Sequence, residues 1–232
     1  MFISVEGADY SGKTTMCGVM ADYFKSMGKE VLITREPGGT EMGTQIRSIL
    51  VDEDIESDPI DVPTQLLLLF ASRIHHINSV ILPALKEGKV VISDRFIDSS
   101  FVYQGLMYGH SEFIRKLIDI TEIQYLQVRP DYTVFYDIDY ATMLERMNKR
   151  GEYNSLDEKY AKLKERPLDC YKQHFYELQS SKTYGNRIKI VDANAAIPTV
   201  TNATIEICKE MMFGGLASDR QYYNRVQALR VW

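Results

Sequence analysis

Cysteine is scarce: the 232 residues hold three, Cys17, Cys170 and Cys208, far apart along the chain. That spacing excludes a metal knuckle and a disulfide framework, and it suits a reducing, cytoplasmic setting. Long apolar runs are missing too. The longest, 66–71, falls far short of the roughly 20 residues a membrane helix needs, so no membrane partner is expected. The apolar start breaks at Glu6 with no preceding positive charge, and no signal peptide is expected. Basic residues are outnumbered, 27 Lys+Arg against 32 Asp+Glu, for a net charge of −5. This excludes a surface that coats nucleic acid and leaves room for a local phosphate site. No repeat, low-complexity tract or Gly/Ser linker divides the chain, so one compact domain is expected.

The composition, 45% hydrophobic and 25% charged, is that of an ordinary globular protein. The length is ample for a full α/β core. Strand-length apolar runs at 2–5, 31–34, 90–93, 132–137 and 188–191 alternate with segments of helical period at 15–27, 64–86, 99–105, 112–127, 141–149, 157–180 and 199–212. Short strands that are apolar on both faces and alternate with helices form a parallel sheet covered on both sides. In such folds a ligand sits beyond the carboxyl ends of the strands.

Gly7-Ala8-Asp9-Tyr10-Ser11-Gly12-Lys13-Thr14 fits G-x-x-x-x-G-K-[ST], placed between a strand and a helix. Glycines let successive N–H groups curl around a phosphate, and the helix N-terminus adds partial positive charge. Lys13 would reach the β/γ-phosphates of a nucleoside triphosphate, and the Thr14 hydroxyl would join a Mg²⁺ shell. Val90-Val91-Ile92-Ser93-Asp94 is a buried strand ending in a carboxylate, where P-loop proteins keep an acid near the metal. Arg95 follows at once, so anion and cation share one strand end.

The guanine-reading Asn-Lys-x-Asp and the protein-kinase His-Arg-Asp and Asp-Phe-Gly are absent. Instead, Arg35, Arg47, Arg73, Arg95, Arg146 and Arg150 stand mostly at element ends. An acceptor that is itself a phosphate needs no general base, because its oxygen is already anionic. It needs cations against the repulsion of two polyanions. The pattern favours phosphoryl transfer to a nucleoside monophosphate.

At these residues the chain resembles the thymidylate kinases. The resemblance is carried by Asp94-Arg95-Phe96-Ile97-Asp98-Ser99-Ser100-Phe101-Val102-Tyr103-Gln104-Gly105. It is carried also by Thr34-Arg35-Glu36-Pro37-Gly38-Gly39-Thr40, Phe70-Ala71-Ser72-Arg73 and Arg129-Pro130-Asp131, over about residues 1–212. It implies the five-stranded parallel sheet of the P-loop nucleoside monophosphate kinases, a homodimer, and Mg-ATP-dependent phosphorylation of dTMP to dTDP. By the same resemblance Asp9 approaches the acceptor sugar, Arg95 holds the acceptor phosphate, and Asp94 faces the magnesium shell. Arg47 is a second phosphate ligand. Arg73 reads the thymine ring with Ser100 and Gln104, and Tyr103 packs on the deoxyribose. Thr15 is counted with the donor loop, and Glu36, Leu69, Phe70, Ser99 and Asp157 with the acceptor pocket.

A lid is expected over about 146–156, with Arg150 as its catalytic cation and Arg146 nearer the adenine. Three departures stand out. The P-loop position that can hold arginine is Tyr10, the lid arginine before Leu156-Asp157 is Ser155, and the phenylalanine that stacks on thymine is Leu69. Phe70 points about 100° away on a helix and does not replace it. The acceptor base is therefore open among dTMP, dUMP and a modified pyrimidine. His75 and His76, also about 100° apart, cannot share a metal and are given no role. Two other readings stay open: a deoxyribonucleoside kinase, for which Glu36 is the nearby base, and an ATP-binding switch without turnover. Residues 213–232, with Arg220, Arg225, Arg230 and Trp232, form an extension of unassigned role.

Overall fold

The computed structural model describes residues 1–51, 59–124, 128–150, 165–182 and 184–213. Five strands form one parallel sheet: β1 (Phe2–Glu6), β2 (Val31–Arg35), β3 (Val90–Asp94), β4 (Tyr132–Asp137) and β5 (Ile188–Asp192). Their spatial order is β2-β3-β1-β4-β5. The chain order reverses beside β1, so β1 and β3 end next to each other with Val5 opposite Asp94. That switch point is where an open α/β sheet binds its ligand. The strand ends that carry Glu6 and Arg35 run one residue beyond the expected strands, and Asp94 ends β3 as expected.

The helices are α1 (Lys13–Ser26), α2 (Glu41–Val51), α3 (Val62–Lys86), α4 (97–106), α5 (Ser111–Gln124), α6 (Tyr140–Arg150), α7 (Arg166–Ser180) and α8 (Ile197–Phe213). Side chains alternate across each strand and sort the core into two faces. Ile3, Val5, Val90, Ile92, Val134 and Tyr136 pack with Met16, Met20 and Phe24 of α1 and Val200 and Cys208 of α8. Phe2 and Val91 pack instead against Ile77, Ile81 and Ala84 of α3. Glu6 has the same parity as Phe2 and is fully buried.

Helix α3 opens two residues earlier than expected because the Asp61 carboxylate accepts the Thr64 N–H at 2.9 Å. It carries a π-helical stretch at Ile77–Ile81, and α4 is π-helical over Phe101–Leu106. Wide turns of this kind accompany functional sites. Among the described residues α3 alone is long and apolar enough to cross a membrane, yet its Arg73 and His76 are buried and hydrogen-bonded to Glu36, Arg73 as an ion pair. Asp157, Ser155 and the tail after Phe213 lie outside the described residues, as do the side chain of Arg150 and most of the expected lid.

Candidate active site

The loop between β1 and α1 is built around Gly7, at φ 151°. A Cβ there would lie 2.8 Å from Ser11 Oγ and 2.9 Å from the Tyr136 carbonyl oxygen. The turn therefore needs glycine. Gly12, at φ 85°, caps α1 with no side-chain acceptor, which leaves the first N–H groups of the helix to a ligand. The Lys13 ammonium donates to the Ala8 carbonyl and to Asp9 Oδ1, both at 3.2 Å. Burial, and then the Arg95 charge, hold its pKa below the ordinary lysine value. A bound polyphosphate would relieve both effects.

On the far side of the helix start, Thr14 Oγ1 donates to Asp94 Oδ2 at 2.5 Å. The other carboxylate oxygen, Asp94 Oδ1, is buried without a hydrogen-bond partner. A hydroxyl and a carboxylate with one idle oxygen suit a hard cation that prefers oxygen ligands.

Arg95 takes a left-handed backbone, φ 71°, and its N–H is held by the Val5 carbonyl at 2.9 Å. Few residues besides glycine hold that conformation, and here the neighbouring strand enforces it. The guanidinium reaches the phosphate loop, α4 and α7. It donates to Asp9 Oδ1 at 2.7 Å, to Ser99 Oγ at 3.2 Å and to the Tyr171 hydroxyl at 2.5 Å, with Tyr103 packed on its face. Arg47 lies near enough to Arg35 and Arg95 that their charges, after burial, depress its own pKa. Arg35, Arg95 and Asp9 thus all lie within electrostatic reach of Arg47.

Arg73 is 3% exposed and ion-paired through Nε to Glu36 at 2.6 Å. One terminal nitrogen donates to Ser100 Oγ at 3.1 Å and the Phe96 carbonyl at 3.3 Å. The other, Nη1, is buried without a hydrogen-bond partner. Phe70 and Phe96 pack on the guanidinium, 5.2 and 5.4 Å from ring centre to Cζ. Phe70 therefore supports Arg73, and Leu69 is buried beside it. Gln104 reaches Gln65 at 3.5 Å.

The family whose model is described as "Thymidylate kinase" matches residues 5–204. The chain belongs to the thymidylate kinase family. It is 36% identical over 213 residues to the thymidylate kinase of Exiguobacterium sibiricum, covering 91% of this chain and 93% of that one. The Mycoplasma capricolum thymidylate kinase is 37% identical over 214 residues, covering 91% and 96%. A crystal structure of thymidylate kinase from Ehrlichia chaffeensis matches with a TM-score of 0.66 at 28% identity, over 91% of this chain and 98% of the other. The fold is that of the P-loop nucleoside monophosphate kinases.

Within this family member the structure brings together Lys13, Thr14, Asp94, Arg95, Asp9, Ser99, Tyr103 and Arg47, and sets Arg73, Glu36, Ser100 and Phe70 in an adjoining group. Arg146 lies against the phosphate loop, on the donor side where it is expected. It donates to the Tyr10 carbonyl at 3.2 Å and the Ala193 carbonyl at 2.5 Å, tying the phosphate loop to the β5–α8 connection. Thr15 is exposed on α1. Both Glu36 oxygens are engaged, by Arg73 and by His76, which disfavours Glu36 as the base of a deoxyribonucleoside kinase.

Three residues at the site escape sequence reasoning. Glu6 accepts the Phe96 N–H and the Ser99 hydroxyl, each at 2.6 Å, and the Ser4 hydroxyl at 3.2 Å. Burial, with the Asp98 charge second, pushes its pKa up to about 7. Tyr171, stacked on Phe135 and edge-on to Tyr103, aims its hydroxyl at Arg95. His76 is fully buried against Glu36. The spacing of Phe2, Ser4 and Glu6 on one strand face, and of Arg73 and His76 on one helix face, is the signal that would have found two of them.

Proposed function

We propose that the chain transfers the γ-phosphoryl group of Mg-ATP to the phosphate of a pyrimidine deoxynucleoside monophosphate, dTMP to dTDP. The observation that carries this reading is a juxtaposition at adjacent strand ends. A hydroxyl–carboxylate pair suited to magnesium, Thr14 and Asp94, adjoins an arginine locked over Asp9.

The chain's own groups divide the work. The α1 N-terminus and Lys13 take the donor phosphates once Lys13 leaves Ala8 and Asp9. Arg95, with Arg47 beside it, holds the acceptor phosphate in line. Its anionic oxygen attacks the γ-phosphorus, and ADP leaves carrying the negative charge, so no general base is required. Thr14 and Asp94 would hold Mg²⁺, which would supply positive charge against the charge developing on the phosphates. The idle Nη1 of Arg73 would receive a carbonyl of the acceptor base, and Tyr103 would pack on the sugar. Arg150 as the cation of a lid over 146–156, and Asp157 in the acceptor pocket, belong to the same reading. So does a homodimer; Met42 and Ile49 of α2 and Leu67 of the adjoining α3 are exposed apolar side chains.

The test is a coupled assay of ADP release with Mg-ATP and, in turn, dTMP, dUMP, dGMP and thymidine. We expect dTMP to turn over fastest. Turnover of thymidine alone would overturn the reading in favour of a nucleoside kinase.

A further inference from the structure

His76 is fully buried, yet both ring nitrogens are engaged. Nδ1 lies 3.0 Å from Glu36 Oε1, and Nε2 lies 2.6 Å from Thr34 Oγ1. A carboxylate only accepts, so Nδ1 carries a proton and donates to Glu36, while Nε2 shares a hydrogen bond with the Thr34 hydroxyl, which can donate or accept. The other Glu36 oxygen takes Arg73 Nε at 2.6 Å. A continuous chain of hydrogen bonds therefore runs from the end of β2 through the ring and Glu36 to the Arg73 guanidinium. Gly39, at φ 76°, completes the seat: a Cβ there would fall 2.3 Å from His76 Nε2 and 2.7 Å from Thr34 Oγ1. Three positions of the segment 34–40, namely Thr34, Glu36 and Gly39, thus converge on one histidine of α3.

We propose that His76 positions Arg73 for recognition of the acceptor base, acting through Glu36. Arg73 can rotate about its long stem, and a single ion pair fixes only one edge of a guanidinium. With Glu36 tethered by the ring, and Ser100 and the Phe96 carbonyl taking the second edge, only Nη1 is left to bond a ligand. A fixed donor at that point favours a base with a carbonyl at its 4-position, thymine, over one with an amino group there, cytosine. The inference rests on the assignment of Arg73 as the base reader.

Steady-state kinetics of the full chain with Mg-ATP and either dTMP or dCMP test it. Wild type should prefer dTMP. His76→Asn keeps an amide N–H near the place of Nδ1 and should hold the dTMP/dCMP ratio of kcat/KM within about threefold. His76→Gln keeps the reach to Thr34, loses the donor to Glu36, and should narrow the ratio by about tenfold or more. That change should come through KM for dTMP, with kcat within about threefold. An unchanged ratio in His76→Gln, or an equal kcat loss with both nucleotides in both variants, overturns the inference. Should His76→Gln fail to fold by circular dichroism, Thr34→Val decides, with about a threefold narrowing expected and an unchanged ratio overturning it. A wild type without preference for dTMP overturns the base-reading assignment and this inference together. A wild type that prefers dTMP, beside a His76→Gln variant that keeps the preference undiminished, overturns this inference alone.

Discussion

Arg95 donates to Asp9 Oδ1 at 2.7 Å, across the seam where β1 and β3 end side by side. Asp9 is also the partner of Lys13, so one carboxylate holds the donor-side lysine and the acceptor-side arginine until phosphates arrive. Loss of the arginine should fall on turnover. Arg95→Ala is expected to lower kcat/KM for dTMP on the order of 10²–10⁴-fold. Arg95→Lys should recover little, because one ammonium cannot span Asp9, Ser99 and Tyr171 as a planar fork does. Coupled-assay kinetics on both variants check this, and a near wild-type rate for Arg95→Ala would refute the role.

Asp94 offers one oxygen to Thr14 and keeps the other idle. Asp94→Asn preserves shape and removes charge, so the half-saturating Mg²⁺ concentration should rise by about tenfold or more. Chelation by EDTA should abolish turnover of the wild type. A magnesium titration that superposes on the wild type would remove Asp94 from the metal site.

What was legible in the sequence is what local chemistry spells out. The glycines and lysine at 7–14 and the Asp94-Arg95 pair need only a strand before them to be placed. Glu6 is different. Read locally it merely interrupts an apolar run, because a charged residue is rarely buried unless paired. The partners that permit its burial, Phe96 and Ser99, are 90 and 93 residues away in sequence. His76 has the same history: its tie to Glu36 crosses 40 residues and depends on how α3 lies against the segment 34–40. The π-helical turns at 77–81 and 101–106 carry no periodic signal of their own, so both helices read as ordinary.

Gly7 offers a direct measure of how tightly the phosphate loop is packed. A methyl group there meets a backbone carbonyl at 2.9 Å, which side-chain rotation cannot relieve. Gly7→Ala should cost about 3 kcal/mol, from strain and overlap together. For a chain of this length that is a fall in Tm of roughly 6–12 °C. The stabilisation of the protein by Mg-ATP in the same melting experiment should shrink as well. A variant that melts with the wild type would show that the loop relaxes without loss.

Glu6 should leave its mark on stability as a function of pH. Its carboxyl pKa moves from the ordinary 4.5 to about 7 on folding, chiefly by burial. Between those values the folded state holds a proton that the unfolded state has released. The stability this group contributes is therefore full below about pH 4.5 and is lost as pH rises towards 7. Glu6→Gln removes the ionisation while its amide oxygen still accepts the Phe96 N–H and its NH₂ group donates to Ser99 Oγ. The variant's Tm minus that of the wild type should therefore increase from pH 5 to about pH 7 and level off above that. Thermal melts at half-unit steps of pH provide the measurement. A difference that stays flat, or that falls with pH, would mean that Glu6 is already ionised in the folded protein across this range, its charge held by the Phe96 and Ser99 hydrogen bonds and the nearby Arg95.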